Sequence, residues 1–186
     1  MSIDDYYESS NRVECLPPII DEESEILVLG SVPGKLSLVR REYYANPSNN
    51  FWILMQKLYN EDQPFQSYSD KLACLKRSHI ALWDVIKTCW RKGSKDKSIC
   101  EPECNDIGKL LRKYSNIKKI VLNGKKAEEH FFCSESTSIP TQVASSSSGA
   151  NDKTALLKGF FVNFELLFEW SIRLFVSFHD TSNCLE

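Results

Sequence analysis

Apolar residues fall in short runs separated by longer amphipathic stretches. Glu25-Ile-Leu-Val-Leu-Gly30 is a run of mostly branched side chains closed by glycine, and His79-Ile-Ala-Leu-Trp83 and Ile117-Lys-Lys-Ile-Val-Leu122 repeat the pattern. Short apolar runs bounded by turn formers predict strands buried on both faces. Ser138–Ala144 is a fourth, weaker candidate.

Helices are predicted between these runs. Asn46-Pro47 reads as an N-cap followed by proline at the first helical position, with Phe51, Trp52, Leu54, Met55 and Leu58 at helical spacing behind it. Asn105 is placed to cap a helix carrying Ile107, Leu110, Leu111 and Tyr114, and Gly124 to open one that buries Ala127, His130 and Phe131. Strands alternating with helices imply an α/β chain: a three-layer α/β/α arrangement around a central, mostly parallel four-stranded sheet. In such sheets ligands bind beyond the carboxyl ends of the strands, so the loops after Gly30, Trp83, Leu122 and Ala144 are the ones to search.

Pro17-Pro18 favours an extended lead-in over residues 1–24, ahead of a single domain from 25 to 186. The segment from Thr154 to Phe178 is rich in Phe, Leu and Trp on all sides, which predicts burial, with a partner surface as the alternative. No run reaches the eighteen or so apolar residues of a membrane span, and the acidic start lacks the features of a secretion signal. An intracellular protein, nuclear or cytoplasmic and monomeric, is expected. Seven cysteines without a secretion signal argue for free thiols. Cys100 and Cys104 form one close pair that no second pair completes, so neither metal nor cofactor is predicted. A net charge of −2 says nothing about nucleic acid, because phosphate binding depends on local cations. Two basic clusters stand out: Lys35, Arg40 and Arg41, and then Arg91, Lys92, Lys95 and Lys97.

Chemistry concentrates in two early segments. Gly30-Ser31-Val32-Pro33-Gly34 follows the first strand, where glycines let the backbone turn and approach a ligand. Then Tyr43-Tyr44-Ala45-Asn46-Pro47-Ser48-Asn49-Asn50-Phe51-Trp52 joins a stacking face to three amides that both donate and accept hydrogen bonds. Each segment alone is compatible with a turn or a capped helix. Neither GxxxxGK[ST] nor GxGxxG is present, which counts against a nucleotide-binding module.

Taken together, the Gly-Ser-x-Pro-Gly turn and the Tyr-Tyr-Ala-x-Pro-x-Asn-x-Phe-Trp segment resemble the signature of DNA-deoxyinosine (hypoxanthine-DNA) glycosylases in the uracil-DNA glycosylase superfamily. Ala81-Leu82-Trp83-Asp84-Val85, Asn105-Asp106 and Asn123-Gly124-Lys125-Lys126-Ala127 follow in the family's order, so the resemblance spans roughly residues 25–151. Position 46 is usually histidine in the relatives and is Asn46 here. Their Pro-Ser-Thr-Ser-Pro-Ala-Asn loop is matched by Ser145–Asn151, in which both prolines are missing. Proline restricts a loop, so this one is expected to be less ordered before DNA binds.

The resemblance implies hydrolysis of the N-glycosidic bond of a deaminated base, hypoxanthine first and uracil second, after the nucleotide is flipped from DNA. Asn49 is the expected catalytic amide, with Asn46 and Asn50 as fallbacks, and Asp84 either assists water or structures the pocket. Gly30, Ser31, Val32, Pro33, Gly34, Tyr44, Asn46 and Asn123 are the expected base-binding residues; Asn123 with Gly124 also reads as a helix cap. Arg40, Arg41, Ser146, Ser147, Ser148 and Asn151 are the expected DNA contacts. The absence of a lysine in the early loops predicts a monofunctional hydrolase. A mismatch-specific uracil-DNA glycosylase and a catalytically degenerate DNA-binding relative are the alternatives.

Overall fold

The computed structural model describes residues 12–59, 63–94, 98–134 and 137–148. A two-residue strand β1 (Val13–Glu14) precedes β2 (Ile26–Gly30), and helices α1 (Lys35–Arg40), α2 (Phe51–Leu58) and α3 (Tyr68–Arg77) lead on to β3 (Ile80–Asp84). Strands β4 (Ile86–Arg91) and β5 (Ile99–Cys104) come next, then α4 (Ile107–Lys113), β6 (Lys119–Asn123), α5 (Lys125–Ser134) and β7 (Thr141–Ala144). The apolar segment 154–178 and Asn151 lie outside the described residues.

The four apolar runs pair in the order β3-β2-β6-β7, every neighbour parallel. Alternate residues face opposite sides, because successive side chains of a strand point to opposite faces. Val28, Leu82 and Val121 join Phe51, Trp52, Leu54, Met55 and Leu75 on one face. Leu27, Leu29, Ala81, Ile120 and Leu122 pack with Ile107, Leu110, Ala127 and Phe131 on the other. Helices α2 and α3 therefore cover one side and α4 and α5 the other, as the runs predicted. His130, expected on the buried side of α5, is only half-buried.

Three local expectations are corrected. Helix α2 starts at Phe51, not Pro47. Asn46 Oδ1 accepts from the Ser48 N–H (3.0 Å) and Asn49 Oδ1 from the Phe51 N–H (2.9 Å). Such side-chain turns compete with the helical backbone, so the amides occupy a loop rather than one helical turn. The cap of α4 is Asp106, whose Oδ1 accepts from Lys109 N–H at 2.7 Å. Asn105 is instead buried and donates through Nδ2 to the Asp84 carbonyl (2.8 Å).

The third correction is a second sheet. Strands β1, β4 and β5 form an antiparallel sheet that leaves β3 at once through Val85. Its small core of Val13, Val32, Ile86 and Cys89 abuts the loop after β2. Strand β5 hides its identity by carrying Pro102 on a sheet edge, where the missing N–H is tolerated, and Glu101 with φ +46. Among the described residues no helix is long and apolar enough to cross a membrane.

Phe51 is fully buried at the start of α2 and carries the ring stack of the site described below. Phe51→Ala is expected to lower unfolding free energy by about 3–5 kcal/mol. Urea titration of the purified chain measures this, and a loss below about 1 kcal/mol contradicts the assigned packing.

Candidate active site

Parallel register brings Gly30 beside Asp84 at the carboxyl edge of the sheet, and Asn123 beside Ala144. Gly30 leaves room for a close approach at this point. A Cβ there would lie 2.6 Å from Asp84 Oδ1 and 3.5 Å from the Tyr44 hydroxyl. The carboxyl of Asp84 is 4% exposed, and its Oδ2 has no hydrogen-bond partner among the described residues. Burial pushes its pKa up to about 7, against the opposing pull of the Arg91 guanidinium and the Tyr43 phenol. Asp84 is thus a buried acid poised near neutrality.

The 30–34 turn is pinned through its carbonyls. Gly30 O accepts from Val85 N–H (2.8 Å), Ser31 O from Ile86 N–H (2.9 Å), and Pro33 O from Arg91 Nη2. Ser94 Oγ accepts from the Lys35 N–H at 3.0 Å. Gly34 has φ −68 and only ordinary contacts with Ser94, so close approach demands glycine at 30 and not at 34.

The tyrosine pair divides its labour. Tyr43 points inward: its hydroxyl donates to the carbonyls of Leu16 (3.1 Å) and Pro17 (3.2 Å), and its own carbonyl accepts from Trp52 Nε1 at 3.0 Å. Tyr44 has φ +53, a left-handed conformation that costs a residue with a Cβ on the order of 1 kcal/mol. Two contacts hold it there. Its ring stacks on Phe51 at 4.1 Å between centroids and 23° between planes, and its hydroxyl accepts from Asn123 Nδ2 at 3.0 Å. Burial, reinforced by the charge of Asp84, raises the phenol pKa, so Tyr44 stays neutral and keeps a proton to donate.

Asn123, at the end of β6, does not cap α5. Its carbonyl oxygen accepts from the Ser147 N–H (2.9 Å) and its Nδ2 donates to Ser147 Oγ (2.9 Å) as well as to Tyr44. Gly124 opens α5 as predicted, with φ +103 and the Cβ of Ser146 only 2.7 Å from where its own would be.

These pieces enclose one cleft of about 390 Å³. It is lined by Gly30, Ser31, Val32, Pro33 and Gly34, by Tyr44, Asn46, Asn49 and Asp84, and by Asn123, Ser146, Ser147 and Ser148. Tyr44 and Asn49 therefore share one opening. Arg40 and Arg41 are exposed at the end of α1 and do not line it. Among the described residues no group of three His, Cys, Asp or Glu side chains is arranged to hold a metal ion.

The family model for the uracil DNA glycosylase superfamily matches residues 17–179. The chain belongs to that superfamily. It is 40% identical over 138 residues to the hypoxanthine DNA glycosylase of Methanosarcina barkeri, covering 74% of this chain and 87% of the relative. It is 40% identical over 135 residues to the protein of that name from Methanosarcina acetivorans, covering 73% and 85%. Among solved structures it is similar to a candidate uracil DNA glycosylase from Methanosarcina acetivorans determined by NMR in solution. There the TM-score is 0.68 and the identity 38%, over 76% of this chain and 88% of that one.

Within this superfamily fold, four cleft residues are not among those expected from the sequence: Tyr43, whose neighbour Tyr44 was expected, and Ser37, Arg91 and Ser94. Arg91 and Ser94 arrive from the end of β4, in a cluster that reads equally well as a solvated loop. Ser37 sits on α1, where its Oγ accepts from the Ala45 N–H at 3.2 Å. A one-residue turn between two strands, Asp84 to Ile86, was the available signal that the Arg91 strand returns to the site.

The raised pKa of Asp84 makes native stability depend on pH. Between pH 4 and 7 the native carboxyl holds its proton while the unfolded one, with a pKa near 3.8, has lost it. Native stability contributed by this group therefore falls as pH rises, by up to about 1.4 kcal/mol per pH unit, and levels off above 7. Asp84→Asn is expected to gain stability relative to the natural chain across pH 4 to 7 and to hold that gain above it. Urea midpoints at pH 4, 5.5, 7 and 8 provide the check; a pH-independent difference refutes the burial argument. Gly30→Ala is expected to disrupt the same contact, lowering stability by about 1–3 kcal/mol through overpacking.

Proposed function

We propose that the chain is a monofunctional DNA glycosylase that hydrolyses the N-glycosidic bond of a deaminated base, with hypoxanthine preferred and uracil second. The observation that carries this reading is the shared cleft: a neutral phenol, a carboxamide and a buried acid meet at the carboxyl edge of a parallel sheet. Curated relatives named hypoxanthine DNA glycosylase support the choice of base.

A glycosidic bond inside a duplex is out of reach, so the nucleotide swings into the cleft. Unstacking costs a few kcal/mol, and aromatic stacking returns about 1–3 kcal/mol. Tyr44 is the stacking candidate, held rigid from behind by Phe51. As the bond breaks, negative charge gathers on the leaving base and positive charge on the sugar. Asn49 suits the first. Its oxygen is occupied by the Phe51 N–H, which turns the NH₂ group outward as a donor. A donor stabilises an anionic base far better than it activates water, so the base-binding role is favoured over water orientation. It also matches the O6 acceptor of hypoxanthine and opposes the amino group of adenine at that position.

Asp84 suits the second charge. With a pKa near 7 it is partly ionised at neutral pH, when it can orient the attacking water and face the developing sugar cation. The pinned 30–34 backbone supplies a fixed edge against the base. The exposed Ser148, the half-buried Ser146 and, further out, Arg40 and Arg41 are candidate phosphate contacts. The enzyme acts as a monomer on nuclear or cytoplasmic DNA, with Asn151 among its contacts. Among the described residues no lysine lines the cleft, which favours a product strand left abasic and intact.

Oligonucleotides carrying one hypoxanthine or one uracil, duplex and single-stranded, test the reading through abasic-site formation. Hypoxanthine release is expected to lead, with strand breakage only after alkali. Asn49→Ala is expected to reduce the rate by about 10²–10³-fold; a rate near that of the natural chain removes Asn49 from the mechanism. The acid limb of the pH–rate profile is expected near pH 7 and to vanish in Asp84→Asn.

A further inference from the structure

The loop after β7 is where the chain departs most from the pattern its family resemblance leads one to expect, since Ser145 and Gly149 stand where prolines would restrict the backbone. A different restraint occupies its centre. Ser147 is 1% exposed between the exposed Ser148 and the half-buried Ser146. Its N–H donates to Asn123 Oδ1 (2.9 Å), its Oγ accepts from Asn123 Nδ2 (2.9 Å), and its carbonyl accepts from the Asn50 N–H (2.9 Å). A side chain so enclosed cannot grip a phosphate, as the sequence alone suggested it would. It anchors the loop from within.

Asn123 has a finite inventory: two N–H donors and one carbonyl oxygen. The donors go to Ser147 Oγ and Tyr44 Oη, and the oxygen to the Ser147 N–H. A base entering the cleft meets no unused donor on this amide. The bare Cα of Gly124 lets Ser146 pack directly against the turn that follows. The Asn123 side chain thereby ties the end of β6 to the tyrosine turn and the serine loop, and the entry to α2 joins them through the Ser147 carbonyl.

We propose that Asn123 is a positioning residue, a latch that locks the serine loop and the Tyr44 ring into one wall, and not a group that reads the base. The proposal rests on the glycosylase reading of the cleft and adds to it the device that orders the DNA-gripping loop in advance. Hydrogen bonds made before DNA arrives do the work of the missing prolines, because a loop already held in its bound shape loses less entropy on binding. The latch governs affinity for DNA, while base preference stays with the 30–34 turn and Asn49.

The decisive experiment is a double-mutant cycle in the full chain with Asn123→Ala, Ser147→Ala and the pair. Affinity is read on a duplex bearing a tetrahydrofuran abasic-site analogue, and base preference as the ratio of kcat/KM for hypoxanthine and uracil oligonucleotides. Each single substitution is expected to weaken binding about tenfold, and the pair to be no more than about threefold worse than the weaker single. The base ratio is expected to stay unchanged. Additive effects, or a tenfold change of base preference in Asn123→Ala, overturn the latch in favour of direct base reading. Should Asn123→Ala fail to fold, Ser147→Ala removes a single oxygen and suffices. Faster amide hydrogen exchange across residues 145–148 supports the latch, and unchanged exchange with unchanged affinity refutes it. If the natural chain releases neither base, the glycosylase reading fails while the exchange measurement still judges the latch.

Discussion

The site depends on a carboxyl group pressed against a backbone that has no side chain. Register alone sets Gly30 opposite Asp84, and any Cβ at 30 would lie within 2.6 Å of the carboxylate oxygen. Burial at this crowded point raises the pKa of Asp84 towards neutrality. The contact also fixes where the chain can go next. Val85 and Ile86 hydrogen-bond back to Gly30 and Ser31, so the strand that ends in Asp84 hands over directly to the second sheet. Arg91 then returns from that sheet to hold Pro33 and to moderate the acid's charge. Acid, turn and cation form one connected unit, and the second sheet exists in the right place because of it.

A second unit lines the same cleft. Its members carry no charge, and hydrogen bonds at 2.9–3.0 Å join Tyr44, Asn123 and Ser147, with Asn50 closing from behind. The division is physically sensible for breaking a bond that separates charge. In the proposed reaction Asp84 answers the sugar's positive charge and Asn49 the base, while the uncharged unit holds the wall in place. A second carboxylate in the neutral wall would have repelled the leaving group. None of the residues placed there carries one.

Much of this was legible in the chain. Branched runs ending in Gly30, Trp83, Leu122 and Ala144 mark the parallel sheet because strands buried on both faces tolerate little else. They also locate the edge at which a ligand site forms. The 43–52 segment could be tied to the cleft by resemblance. The helix boundary within it could not, because Asn46 and Asn49 look like caps by type and act as turn formers by geometry. The second sheet was hidden: β4 alternates Lys, Thr and Cys without a strong apolar run, and β5 contains a proline. Nor does any local pattern show that a serine tract turns one hydroxyl inward. That depends on Asn123, some 24 residues away in sequence, and only folding brings the two together.

The spacing of the tyrosine segment has its own cause. Trp52 Nε1 donates to the Tyr43 carbonyl and Phe51 stacks on the Tyr44 ring, so each tyrosine is tied to one of the two aromatics that begin α2. The intervening residues must turn through two side-chain-capped bends, at Asn46 and Asn49, to close that circuit. A residue added or removed breaks both ties together. The strain of Tyr44 at φ +53 is sustained by this closure, since the ring cannot relax without unstacking from Phe51 and releasing Asn123. The segment is therefore a closed structural object whose length is set by two contacts at its ends. Such an object leaves a sequence signature far more specific than any one of its residues, because a chain that matches it at every position must also satisfy the geometry that closes it.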